Sequence, residues 1–191
     1  MQVAAGETPR VYYGCDFHVT LENIEDAIRA PERYSINHKG YLLVEFSDFH
    51  VPKTTDEIFA KLMRAGLRPI VTHPERNQIL QRRMADLEPW VAQGAHLKVT
   101  AQSFLGRFGR TAKAFSDELM SRGLVHFVAS DAHDTDWRPP VMDESFRYVT
   151  KKYGEEAAVR VFEENPRAAL AGVALLAAPM PIKRKKWLGI W

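Results

Sequence analysis

The chain has 191 residues, 46% hydrophobic and 26% charged, with a formal net charge of +2. That length suits one domain with a substantial buried core, and the near-balance of charge gives no bulk attraction to nucleic acid, which is not expected as a partner. A single cysteine, Cys15, excludes an internal disulfide and suits a reducing compartment. No stretch reaches the roughly 18 consecutive apolar residues of a membrane span, and residues 1–10 lack the basic-then-apolar pattern of a signal peptide. A cytoplasmic, soluble protein is expected, with residues 1–180 as one domain and 181–191 as a basic-aromatic tail.

Elements alternate along the chain. Residues 11–17 read as a strand and 20–29 as a short helix capped by Thr20. Residues 34–36 and 41–46 flank Asn37-His38-Lys39-Gly40, which has the composition of a hairpin loop. Thr54-x-x-Glu57 has the form of a capping box at the start of the next helix, and Gly66 is placed to end it. Residues 67–72 read as a strand, 84–93 as a helix closed by Gly94, 95–100 as a strand, 110–122 as a helix stopped by Gly123, and 124–129 as a strand. Helices are expected over 141–153 and 155–164, with Asn165-Pro166 breaking the pattern, and 168–178 reads as a packed terminal helix. Repetition of strand, loop and helix implies parallel strands with helices outside, an α/β barrel or an open sheet.

Folds of this class gather ligands at the carboxyl ends of their strands. Asp16 lies near the end of the first strand and Glu45 near the end of 41–46. His73 follows the third strand, and Asp131 and His133 follow the last within Ser130-Asp131-Ala132-His133-Asp134. Oxygen and imidazole together suit manganese, iron or zinc better than calcium. Glu45 interrupts the apolar run Leu42-Leu43-Val44-Glu45-Phe46, where an unpaired carboxylate is costly and a cation relieves the cost; the competing reading is a solvated strand face. His73 alone would read as a core histidine, but with Pro74 and Arg76 following in a tight loop the ligand reading is preferred, and Asp16 is the weaker ligand candidate because a strand-end Asp often caps the next turn. His18 is left outside the site, and His38, His50, His96 and His126 are assigned to turns, surface or packing.

Arg76 and Arg138 follow proposed ligands closely, and a planar guanidinium matches phosphate oxygens. The alternative for each is an ordinary ion pair with a neighbour such as Glu75 or Asp136. The glycine-bearing run 100–109, with Ser103, Gly106 and Gly109, either approaches substrate or connects strand to helix tightly. No Cys-x5-Arg loop, Gly-x-Ser-x-Gly elbow or Walker loop occurs. A hydroxide on a bound cation is therefore the expected nucleophile.

With these residues in place, the chain resembles the bacterial metal-dependent tyrosine phosphatases of capsule and exopolysaccharide synthesis, in the polymerase-and-histidinol-phosphatase (PHP) superfamily. The marks are Gly14-Cys15-Asp16-Phe17, Leu43-Val44-Glu45-Phe46, Val51-Pro52, His73-Pro74-Glu75-Arg76-Asn77, Ser103-x-x-Gly106-x-Phe108-Gly109, Ala129-Ser130-Asp131-Ala132-His133-Asp134 with Arg138, Asn165-Pro166, and the ending Pro181-Ile182-Lys183-Arg184-Lys185-Lys186. The resemblance implies a distorted β/α barrel of the PHP type with up to three metals, manganese first and iron or zinc as alternatives. It also implies hydrolysis of phosphotyrosine on a protein, the tyrosine-rich tail of a kinase that controls polysaccharide export.

By the same resemblance Asp16 stands where the family has a metal-bridging Glu, and Glu45 and His73 match the partner ligands of that metal. Asp131 and His133 match ligands of the other two metals, and Arg76 and Arg138 match the phosphate-binding arginines. The family opens with a strand carrying His-x-His, which does not precede Asp16 here. The expectation is a domain incomplete at its N-terminus, with one metal position keeping its full ligand set and little phosphatase activity from this chain alone. A small-molecule phosphoesterase of the same superfamily and an inactive remnant that binds a kinase tail are the alternatives. Lys183 to Lys186, followed by Trp187-Leu188-Gly189-Ile190-Trp191, suit contact with an anionic membrane surface or an acidic protein patch.

Overall fold

The computed structural model describes residues 10–175, so the tail at 181–191 and the start of the chain lie outside the described residues. Five parallel strands form one sheet in sequential order: β1 (Asp16–His18), β2 (Tyr41–Glu45), β3 (Arg68–Thr72), β4 (His96–Thr100) and β5 (Phe127–Ala129). Helices α1 (Leu21–Arg29) and α2 (Pro31–Tyr34) link β1 to β2, and α3 (Thr55–Arg64) links β2 to β3. Next come α4 (Gln78–Gln81) and α5 (Met84–Gln93) before β4, then α6 (Gly109–Ser121) before β5. The described chain ends through α7 (Asp143–Tyr153), α8 (Glu155–Val159) and α9 (Asn165–Ala171). No helix among the described residues is long and apolar enough to cross a membrane.

Side chains alternate across each strand, and the two faces have different fates. Phe17, Leu42, Val44, Val71, Leu97, Val99 and Val128 join Phe59 and Leu62 of α3, Leu87 and Trp90 of α5, and Leu119 of α6 in the main core. On the opposite face, Tyr41, Ile70 and Phe127 form a smaller cluster with Ala169 of α9. The chain after α9 closes this end: the Tyr41 hydroxyl donates to the Val173 carbonyl (2.7 Å) and Arg68 to the Gly172 carbonyl (3.0 Å). Glu45 and Lys98 share the parity of Leu43 and His96, which places them on the second face toward the carboxyl ends of the strands.

Thr20 caps α1 as its composition predicts, its Oγ1 accepting from the Asn23 amide (3.1 Å). Gly66 and Gly94 end α3 and α5 with φ of 88° and 111°. Several local expectations fail, among them the terminal helix expected over 168–178, which ends at Ala171 where Gly172 takes φ 74°. Residues 37–40 make no hairpin: the chain winds through α2 and a 3-10 turn (Ile36–His38), and β2 runs parallel to β1. Asn37 takes φ 49° and is held by donation from its side-chain Nδ2 to the Leu170 carbonyl (2.9 Å). Thr54 makes no capping bond; Thr55 instead donates to the Pro52 carbonyl (2.6 Å). The first strand pairs over Asp16–His18 alone. Asn165-Pro166 does not end the helical run, because a π turn (Arg160–Glu164) lets the Asn165 N–H reach the Arg160 carbonyl and sets Pro166 in a first turn, where no N–H is needed.

Under the sheet, the rings of His96 and His126 meet at 4.8 Å. Burial, with the neighbouring His126 and Arg68, pushes His96 down to about 3, and burial pushes His126 down to about 4. Both are neutral in the fold near pH 7, whereas in the unfolded chain they titrate near 6.5. Below that value the unfolded chain binds the extra protons, so their contribution is complete above about pH 6.5 and is lost as pH falls toward 4. Each histidine adds up to about 1.4 kcal/mol of destabilisation per pH unit in that window. His96→Phe keeps an aromatic ring there and should lose less stability than the wild type between about pH 6 and 5 in urea melts; equal losses would refute the assignment.

Candidate metal and phosphate site

Period-two geometry on β1 puts Asp16 and His18 on one side and Phe17 in the core. The parallel register sets His18 beside Glu45. Asp16, His18 and Glu45 each offer a ligand atom within 4.8 Å of the others. His73, just past β3, adds its Nε2 at 3.4 Å from Glu45 Oε1. Hydrogen bonding to Asp16, burial, and the charges of Asp16 and Asp131 push Glu45 up to about 7. Burial and the cations Lys98 and Arg76 push His73 down to about 4, so its imidazole is neutral and free to donate a lone pair. Two carboxylates, the His18 imidazole and the neutral His73 imidazole form a donor set that fits a divalent transition metal.

Asp131, just past β5, faces the opposite balance. Its Oδ1 accepts from Lys98 Nζ at 3.0 Å, and its Oδ2 is shared by the guanidinium groups of Arg76 and Arg138. Burial opposes the charge, but Lys98, His73 and Arg76 hold this carboxyl well below the usual range. His73 and Asp131 take φ of 35° and 55°, a region that non-glycine residues seldom occupy and that clusters at functional sites.

The loops that carry these groups are internally braced. Glu75 is fully buried, its Oε1 accepting from the Thr100 amide (3.0 Å) and the Ser103 hydroxyl (2.7 Å), and burial raises its carboxyl. This joins the loop after β3 to the run 100–109, so Ser103 serves as a brace. Asn77 caps α4 through Ile79 and Leu80 (3.0 Å each) and donates to the Ser47 carbonyl (3.1 Å). Between them Arg76 lies over the Phe108 ring, 4.5 Å from its centroid. Asp134 Oδ1 collects the amides of Asp136, Trp137 and Arg138, fixing the turn that delivers Arg138.

Of the residues singled out from sequence, Asp16, Glu45 and His73 come together, and Asp131, Arg76 and Arg138 form an adjoining ion cluster. His133 is exposed, its Nδ1 3.0 Å from the Asp131 carbonyl, and stands outside both groups. His18 belongs to the first group, correcting its exclusion; its signal was its position two residues after Asp16 on the same strand face. Lys98 was missed altogether. The signal for it was the argument applied to Glu45, a charge interrupting the apolar run Leu97-Lys98-Val99 of a buried strand.

The family described as capsular polysaccharide synthesis, CpsB/CapC, matches residues 2–171. The chain belongs to the CpsB/CapC family. Among CpsB/CapC relatives, the tyrosine-protein phosphatase YwqE of Bacillus subtilis is 31% identical over 192 residues, a match covering 100% of this chain and 72% of YwqE. The putative tyrosine-protein phosphatase CapC of Staphylococcus aureus is 32% identical over 183 residues, covering 94% of this chain and 71% of CapC. Among solved structures, those of YwqE and of CpsB from Streptococcus pneumoniae, described as unique metal-dependent tyrosine phosphatases, include a match at TM-score 0.80 and 32% identity over 90% of this chain and 69% of the other. This CpsB/CapC chain thus shares its parallel-sheet α/β fold with phosphatases that require a metal.

Glu45 must lose its proton before it can ligate. With its carboxyl at about 7, the affinity for Mn²⁺ should rise about tenfold per pH unit up to about pH 7 and then level off. Calorimetric titrations at about pH 6, 7 and 8 measure this, and an affinity flat across the range would contradict the site.

Proposed function

We propose that this chain is a metal-dependent protein tyrosine phosphatase of capsule or exopolysaccharide synthesis, acting on phosphotyrosine of a bacterial tyrosine-kinase tail. The observation that carries the reading is the pairing of a metal-type donor set, Asp16, His18, Glu45 and His73, with two guanidinium groups, Arg76 and Arg138, converging on one neighbouring carboxylate. The relatives' names and the metal dependence of the matched structures support the same reaction. The sequential parallel winding supports a distorted β/α barrel of the PHP type as the architecture, with residues 1–180 as its one domain. Manganese is proposed as the metal, with iron and zinc as alternatives suited to the same oxygen and imidazole donors.

Asp16, His18 and Glu45, with His73 alongside, would hold the ion. The chemistry such an ion would supply is a coordinated water with its pKa lowered toward about 7 and withdrawal of charge from a phosphoryl oxygen. Arg76 and Arg138 act on the other side of the phosphate. Each is held on Asp131 until a phosphoryl group offers two or three oxygens in place of one carboxylate oxygen, and a planar fork pairs well with either. Charge shared over several phosphoryl oxygens is what a phosphoryl-transfer site has to stabilise. Phe108 keeps the Arg76 plane oriented from below. Asp131 is proposed to anchor the arginines, and His133, exposed at the mouth, to approach the ion or substrate only in the loaded site.

Hydrolysis of a phosphotyrosine peptide with added Mn²⁺ tests the reading. Arg76→Ala should lower kcat/KM by about 10²-fold, on the scale of losing one preorganised donor to developing charge. Chelation should abolish turnover, and histidinol phosphate should be a poorer substrate than the peptide. Equal rates on both esters would favour the small-molecule phosphoesterase, and peptide binding without turnover the non-enzymatic reading.

A further inference from the structure

Lys98 is a buried cation on the site face of β4, with the side chain only 8% exposed. Its ammonium lies 3.0 Å from Asp131 Oδ1, while Arg76 and Arg138 share the other oxygen. We infer that Lys98 takes the place of a divalent ion at Asp131, so that this chain holds its metal at the β1–β2 end alone. The inference rests on the metal reading of Asp16, His18 and Glu45 given above.

The three cations on Asp131 are not equivalent. The Arg76 and Arg138 side chains are 24% and 23% exposed, sit on loops, and can turn their forks to an arriving phosphate. Lys98 has no such freedom: it rises from the middle of a strand between the core residues Leu97 and Val99. Withdrawing its ammonium from Asp131 would leave a buried charge without its partner. An ion on Asp131 would have to sit against that ammonium, so the carboxylate is already neutralised from within the fold. The carboxylates of Asp16 and Glu45, by contrast, have no lysine or arginine ion partner among the described residues.

The experiment counts Mn²⁺ per chain by native mass spectrometry and elemental analysis on the full chain in excess Mn²⁺. Wild type and Asp131→Asn should each hold one ion, Lys98→Gln two, and the Lys98→Gln/Asp131→Asn double variant one again. An unchanged count in Lys98→Gln, or loss of an ion from Asp131→Asn alone, overturns the inference. Lys98→Met removes the charge at similar volume and should gain the same ion. If neither Lys98 variant folds, as read by circular dichroism, the Asp131→Asn count in the native Lys98 background decides the matter. Glu45→Gln keeps the two claims apart: it should remove the wild-type ion, and survival of that ion would defeat the metal site itself while leaving the Lys98 comparison readable.

Discussion

Uneven charge compensation across one face of a parallel sheet governs this molecule. At the β1–β2 edge, Asp16 and Glu45 stand close together with no lysine or arginine ion partner among the described residues, and Glu45 is pushed up to about 7. At the β4–β5 end, one carboxylate, Asp131, carries three cations. Unit charges 4 Å apart interact by about 4 kcal/mol at an effective dielectric constant of 20, so neither imbalance is minor beside a domain stability of about 5–15 kcal/mol. A divalent cation at the first end and a phosphate dianion beside the second would correct both together. Catalysis of phosphoryl transfer needs that arrangement of charge.

The fold makes this possible by giving the two sheet faces different work. The face under α3, α5 and α6 is apolar throughout and supplies the core. The other is closed at its amino end by Tyr41, Phe127 and α9, which leaves its carboxyl end to polar groups. Buried bonds then fix the loops: Glu75 to Thr100 and Ser103, and Asn77 to the start of α4 and to Ser47. Arg76 lies between those two anchors, so its backbone position is set by the bonds of its neighbours Glu75 and Asn77.

Much of this was legible in the sequence because period-two burial and strand-end position are local signals. The three middle strands β2, β3 and β4, the α5 and α6 boundaries and the gathering of Asp16, Glu45 and His73 follow from them. What escaped depended on neighbours distant in sequence. The loop composition of 37–40 favoured a hairpin until Leu170, 133 residues away, fixed Asn37 in a left-handed turn. His18 acquires its meaning from Glu45 across the register, and Lys98 from Asp131, 33 residues further on. A charged side chain on a buried strand announces that a partner exists; only the tertiary structure names it.

The central claim is that a divalent cation sits among Asp16, His18 and Glu45. Anomalous diffraction at the manganese absorption edge, from crystals of the full chain grown with Mn²⁺, tests it most directly. The account predicts a peak bounded by those three side chains with His73 alongside. An anomalous peak on Asp131 and His133 with none at the β1–β2 edge would contradict it.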